Sequence, residues 1–198
     1  STRKGTLVNL EEVLHHVIEK AKNISIMKGK SNSMELDKTA QTVGTSAVIY
    51  ADLKQNRNNN IEFNWEKMLS IESGSSVYLQ YTYARILSVL SKANLEAIPF
   101  DDVNKVIIFE HPIEFSLALK IASFPDVVLR TIDNNTPNVV SAFLEELTAE
   151  FNHFYSVVLI LKTEQTELRQ SRLILLNSVA MTIKNALALL NIPVLTKI

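Results

Sequence analysis

Tyr78, Tyr81 and Arg85 are the residues of this chain whose types and spacing most readily suggest chemistry. Positions three and four apart are neighbours on a helix, so Tyr78-Leu79-Gln80-Tyr81-Thr82-Tyr83-Ala84-Arg85 sets two phenol rings and a guanidinium on one face. Such rings offer flat surfaces to unstacked bases, and such a guanidinium can meet a phosphate or a carboxylate. The residues alone leave both points open. A tyrosine pair at this spacing more often closes the edge of a core with its hydroxyls wet, and for Arg85 a phosphate and an internal carboxylate are equally good partners. Just ahead lies Ser73-Gly74-Ser75-Ser76, a run of small, turn-forming residues. Lys162, Arg169, Arg172, Lys184 and Lys197 add positive charge further along; they would serve phosphates if they converged with Tyr78, and otherwise face solvent. Arg3 and Lys4 are two more cations at the chain start, where solvation is the ordinary reading.

Other chemistries find less support. The sequence has no Cys, which excludes disulfides and thiolate metal sites, and its 4 His are scattered without a metal constellation. His153 has no Ser, Cys or metal partner in view and reads as structural, while Trp65, among Phe63, Met68 and Leu69, reads as packing. With 20 Lys and Arg against 21 Asp and Glu, overall basicity attracts nothing, and any nucleic-acid contact must come from a local patch. No apolar run approaches the roughly 20 residues that cross a bilayer, and the N-terminus lacks the apolar stretch of a signal peptide, so a soluble protein without membrane contact is expected. The start at Ser1 suggests a piece of a longer chain, although processing would give the same start.

The elements that must position these residues are helices. With 46% hydrophobic residues, 4 Gly and 5 Pro, the 198 residues can bury a core, and their apolar positions recur at three and four. Asn9 with Glu12 can cap a first helix carrying Leu10, Val13, Leu14, Val17 and Ile18 on one face. Asn23 to Ser33 reads as loop, a second helix follows over about residues 35–53, and the Asn-rich run from Gln55 to Asn60 breaks it. Asn64 can cap a short helix, Trp65 to Leu69, and the small residues 72–76 open into a long helix over about 77–93. Pro112, Pro125 and Pro137 each stand where a helix can begin, Thr136-Pro137 capping one whose apolar face includes Phe143, Leu147, Phe151 and Phe154. A last helix from about Leu168 ends near Asn191 and Pro193. No fixed-period repeat is present, so an all-α helical bundle is expected.

Set in order, several blocks resemble the arginyl-tRNA synthetase family. Ser1-Thr2-Arg3-Lys4-Gly5 is similar to the end of that family's KMSKS-type signature loop, which often reads M-S-T-R-K-G. Val43 to Leu53 resembles its helix ending in Y-x-x-L, with Arg57 after it, and Phe63 to Ser70 its F-D-W-D-x-M-L-S block. Tyr78 to Arg85 resembles Y-L-Q-Y-A-H-A-R, and Phe151-Asn152-His153-Phe154-Tyr155, Arg169, Arg172-Leu173 and Leu189 to Ile192 track the closing helices. Three positions depart: Ser73 to Val77 replaces a stretch usually holding Gly-Asn and a Pro, Tyr83 replaces a common His, and Ile198 a frequent terminal Met. A cysteine-specific relative shares a similar helical domain, but its loop keeps K-M-S-K-S, so the first five residues favour arginine.

The resemblance implies a C-terminal, DALR-type anticodon-binding bundle: residues 1–9 as the tail of the signature loop, 10–70 as a helical connection to the catalytic domain, and 71–198 as the anticodon-binding bundle. It implies that Tyr78, Tyr81, Arg85, the turn Ser73, Gly74, Ser75, Ser76, and Arg169 and Arg172 meet tRNA specific for arginine. It implies ATP and Mg in the full-length ligase, with Arg3 and Lys4 steadying the ATP phosphates, and no cofactor for this chain alone. Without the HIGH-containing catalytic region, no aminoacylation is expected from the chain itself. A cytoplasmic monomer that binds tRNA weakly is expected, its other partners being the remaining domains of the same polypeptide. A helical protein-interaction module and a synthetase-derived regulator without catalysis are the competing readings.

Overall fold

Side-chain capping and proline placement decide where the third to sixth described helices of this chain begin. The computed structural model describes residues 9–27, 33–59, 64–71, 74–93 and 107–196, and among them every regular element is helical: α1 (Leu10–Met27), α2 (Ser33–Leu53), α3 (Trp65–Met68), α4 (Ser76–Lys92), α5 (Pro112–Ala122), α6 (Phe124–Asn134), α7 (Asn138–Val157) and α8 (Thr166–Leu189). Asn64 caps α3, its Oδ1 accepting from the backbone N–H groups of Glu66 (3.0 Å) and Lys67 (3.1 Å). Ser75 caps α4, its Oγ accepting from the Tyr78 N–H at 3.1 Å. Pro112 and Pro125 stand in the first turns of α5 and α6, where a missing N–H costs nothing. Asn135 closes α6 in the left-handed region at φ 51°, and Asn191 follows α8 at φ 57°.

Two expectations are corrected. Helix α1 continues through Asn23 to Met27, where a loop was expected, because these residues hold neither Gly nor Pro and Gly29 lies beyond them. Pro137 occupies the cap of α7 without a side-chain bond, and the Thr136 hydroxyl is buried with no partner, so Thr136 does not cap. The Trp65 side chain lies outside the described residues, as do Arg3, Lys4, Ser73 and Lys197.

Among the described residues two apolar clusters hold the helices. The larger takes Leu79 and Ile86 from α4, Leu117 from α5, Val127 from α6, Phe143, Leu144, Leu147, Phe151 and Phe154 from α7, and Leu176, Val179, Ile183 and Leu187 from α8. Their spacing of three and four is the amphipathic period, and each fully buried side chain contributes about 1.5–3 kcal/mol. The smaller cluster joins Val17 and Ala21 of α1 to Ala40, Val43 and Ala47 of α2, with Met68, Leu69 and Val77. Gly44 lets these helices touch: a Cβ there would stand 2.8 Å from Ile18 Cγ1 and 2.9 Å from Ile18 Cα. From α2, Tyr50 enters the larger cluster, with Ile49 and Leu53 packed against it. Helix α8 is the one described helix long and apolar enough to cross a membrane, yet more than half of its most apolar stretch is buried against its neighbours as the core of the bundle.

Candidate nucleic-acid interface

The Ser75 cap starts α4 so that its buried side, Leu79, Tyr83 and Ile86, faces the larger core, leaving Tyr78, Tyr81 and Arg85 half-buried toward α7. There they meet Asn152 and Tyr155, which sit three apart on one face of α7. The Arg85 guanidinium carbon lies 4.8 Å from the Tyr81 ring centroid and 5.8 Å from that of Tyr155, placing the cation against two rings. Arg85 also donates to the Tyr81 hydroxyl at 3.3 Å and to Asn152 Oδ1 at 3.4 Å. Asn152 Nδ2 donates to the Tyr78 hydroxyl. The three residues singled out from sequence thus form one cluster, completed by Asn152 and Tyr155. Sequence reasoning missed those two because they flank the deeply buried Phe151 and Phe154, Asn152 following the first and Tyr155 the second, and these apolar types dominate the block. Their i, i+3 spacing was the available signal.

Tyr155 remains 41% exposed, so the aromatic and cationic surface reaches solvent. Gln80 belongs to a different task. It is fully buried, and its Nε2 donates to the Pro193 carbonyl at 2.8 Å and Ser46 Oγ at 3.2 Å, tying α4 to α2 and to the segment after α8.

The turn ahead of α4 is pinned from the residue that follows α2. Lys54 Nζ donates to the Gly74 carbonyl at 2.7 Å, and Gly74 adopts φ 92°, a conformation that glycine alone enters freely. Ser75 also donates to the Ser70 carbonyl, and Ser76 is wholly buried. Beside this turn is a cleft of about 780 Å³, walled by Tyr50, Lys54, Asn64, Lys67 and Ser75 among others. Tyr50 donates to Glu145 Oε1 at 2.9 Å; burial first, then the Glu145 charge and this bond, push its phenol well above the ordinary range.

The basic residues of α8 divide. Arg169 is exposed. Arg172 is not brought to the tyrosines: its Nε donates to Glu114 Oε1 at 2.6 Å, and its remaining nitrogens to Thr163 Oγ1 at 2.7 Å and Glu110 Oε2 at 3.2 Å. Its side chain is only 11% exposed and that of Glu114 1%, so this cation neutralises a buried carboxylate. Burial alone would raise the Glu114 carboxyl, but the His111 N–H, Arg172 and the Glu110 N–H outweigh it and hold the group below its usual range. Lys184 is exposed, as is His153. Among the described residues no group of three or more Asp, Glu or His is placed to hold a metal ion. The cations that the resemblance assigns to ATP, Arg3 and Lys4, lie outside the described residues.

Residues 79–198 match the DALR anticodon binding domain, and residues 1–65 match the catalytic domain of class I (R) tRNA synthetases. The chain is 39% identical over 198 residues to an arginine–tRNA ligase of Buchnera aphidicola from Schizaphis graminum, covering 99% of this chain and 33% of the relative. It is 39% identical to that of Fusobacterium nucleatum, covering 100% and 34%. Among solved structures, arginyl-tRNA synthetase from Thermus thermophilus superposes with a TM-score of 0.84 at 28% identity, over 96% of this chain and 32% of that one. The Plasmodium falciparum enzyme superposes with a TM-score of 0.83 at 26% identity, over 97% and 34%. The chain spans about a third of the length of the curated relatives it matches. With over half of its residues in a match that begins just after Tyr78 and contains Tyr81, Arg85, α7 and α8, the chain belongs to the DALR anticodon binding domain family, as that domain occurs in arginyl-tRNA synthetases.

Proposed function

We propose that this chain is the tRNA-binding C-terminal part of an arginine–tRNA ligase and that it receives the anticodon region on the face shared by α4 and α7. The observation that carries the reading is Arg85 set against the rings of Tyr81 and Tyr155, with Tyr78 joined through Asn152. Aromatic faces beside a cation suit unstacked bases and the backbone that carries them. The turn at Gly74 and Ser75 borders the site, and Arg169 supplies exposed charge on α8. Arg172 has its guanidinium engaged with Glu114, and its contribution is to hold α8 on α5.

In this reading residues 1–9 end the signature loop, 10–70 connect to the catalytic domain, and 71–198 hold the anticodon. The complete ligase, a cytoplasmic monomer, joins arginine to its tRNA using ATP with Mg. This chain alone binds tRNA weakly and does not aminoacylate.

The test is a titration of tRNA specific for arginine, and of a second tRNA, over a series of salt concentrations, repeated with Tyr78→Ala and Tyr81→Ala. Loss of one stacked base, about 1–3 kcal/mol, weakens binding by about 5- to 150-fold. The cognate tRNA should bind more tightly, and all binding should weaken as salt rises. Equal binding of both tRNAs, indifferent to either substitution, would remove the reading.

A further inference from the structure

The amide of Asn152 fixes the direction of the hydrogen bonds at this site. A guanidinium has donors and no acceptor, so the Asn152 oxygen must face Arg85, whose terminal nitrogen lies 3.4 Å away. The Asn152 nitrogen is thereby turned to the Tyr78 hydroxyl and donates to it. A hydroxyl that accepts in this way still has its own proton to give. The Asn152 amide nitrogen that faces this hydroxyl is itself a donor, so the proton is directed away from it.

Resting on the function proposed above, we infer that Asn152 is a positioning residue that makes Tyr78 an outward hydrogen-bond donor, so that the site selects an acceptor oxygen on the RNA beside the stacked rings. The oxygen belongs either to a phosphate or to a base carbonyl. Asp at position 152 would keep the shape and reverse the polarity. Both of its oxygens accept, so the Tyr78 proton would turn inward to one of them and Arg85 would pair with the other.

The experiment uses the full 198-residue chain and two fluorescent stem–loop RNAs: the anticodon arm of tRNA specific for arginine, and the same arm with its loop bases exchanged. Binding is measured for the unaltered chain, Tyr78→Phe, Asn152→Asp and the double variant, with helical content and unfolding midpoint followed for each. Tyr78→Phe, which keeps the ring, is expected to weaken binding about tenfold, one directed hydrogen bond. In the Asn152→Asp background the same change is expected to have almost no effect, because the hydroxyl there already points inward. Equal loss on both RNAs identifies a phosphate oxygen, and loss on the first alone a base carbonyl. Tyr78→Phe costing the same in both backgrounds overturns the inference while leaving RNA binding intact, and no binding by the unaltered chain removes it together with the function it rests on. Should Asn152→Asp fail to fold, Tyr78→Phe alone decides: unchanged affinity overturns the inference.

Discussion

Glu114 shows how a single side chain can serve several ends at once. One oxygen accepts from the N–H groups of Glu110 and His111 at the start of α5, and the other accepts from Arg172 of α8. Removing Arg172 would leave a carboxylate almost without water and short of its cation, so Arg172→Ala is expected to cost about 3 kcal/mol, read from urea unfolding followed by helical signal. The pH dependence has a definite sign. The folded protein holds the Glu114 proton more weakly than the unfolded chain does, so the stabilisation is present above the ordinary carboxylate value of 4.5 and is lost as pH falls through the lower folded value. Arg172→Ala should therefore flatten the fall in stability on the acid side; an unchanged acid limb would show that Glu114 does not govern it. Tyr50 acts at the opposite end. Its raised phenol keeps its contribution below pH 10.0 and loses it as pH climbs beyond, an effect that Tyr50→Phe should remove from an alkaline unfolding series.

Helix α2 is fitted to α1 by the absence of a side chain. Gly44→Ala gains up to about 1 kcal/mol of helix propensity, but the new methyl would meet backbone and side chain of Ile18 at under 3 Å, and overpacking of this kind costs about 1–3 kcal/mol. A net loss of stability in thermal unfolding is expected, and a gain would show that α1 moves aside freely. Ser75→Ala, which strips the cap from α4, should cost about 1 kcal/mol. Much of this architecture was legible beforehand: Asn64, Pro112, Pro125 and the apolar periods of α7 and α8 state their elements locally. The continuation of α1 past Asn23 was not, because a single Asn resembles a stop signal unless the absence of Gly and Pro beside it is weighed. The α4 face was legible as Tyr78, Tyr81 and Arg85, since i, i+3 and i+4 spacing is a local property. The partnership with Asn152 and Tyr155 was not, nor was the pairing of Arg172 with Glu114, because which helix lies opposite is decided by the packing of the whole bundle.

At the scale of the whole molecule the two apolar clusters differ in extent among the described residues, the one around α4, α7 and α8 being the larger. Local opening should follow that difference: amide hydrogens of α1 are expected to exchange faster than those of α7 and α8, as measured by mass spectrometry, and equal protection would mean a single cooperative unit. Between the clusters stands α2. Its middle rests on α1 at Gly44, its Tyr50 ring is sunk among the residues of α7, and Lys54, just past its last residue, grips the peptide of Gly74 at the threshold of α4. A rod seated in this way is built as a lever would be: any strain that it carries from α1 to the Gly74 carbonyl would be matched by an equal coupling free energy in the reverse direction.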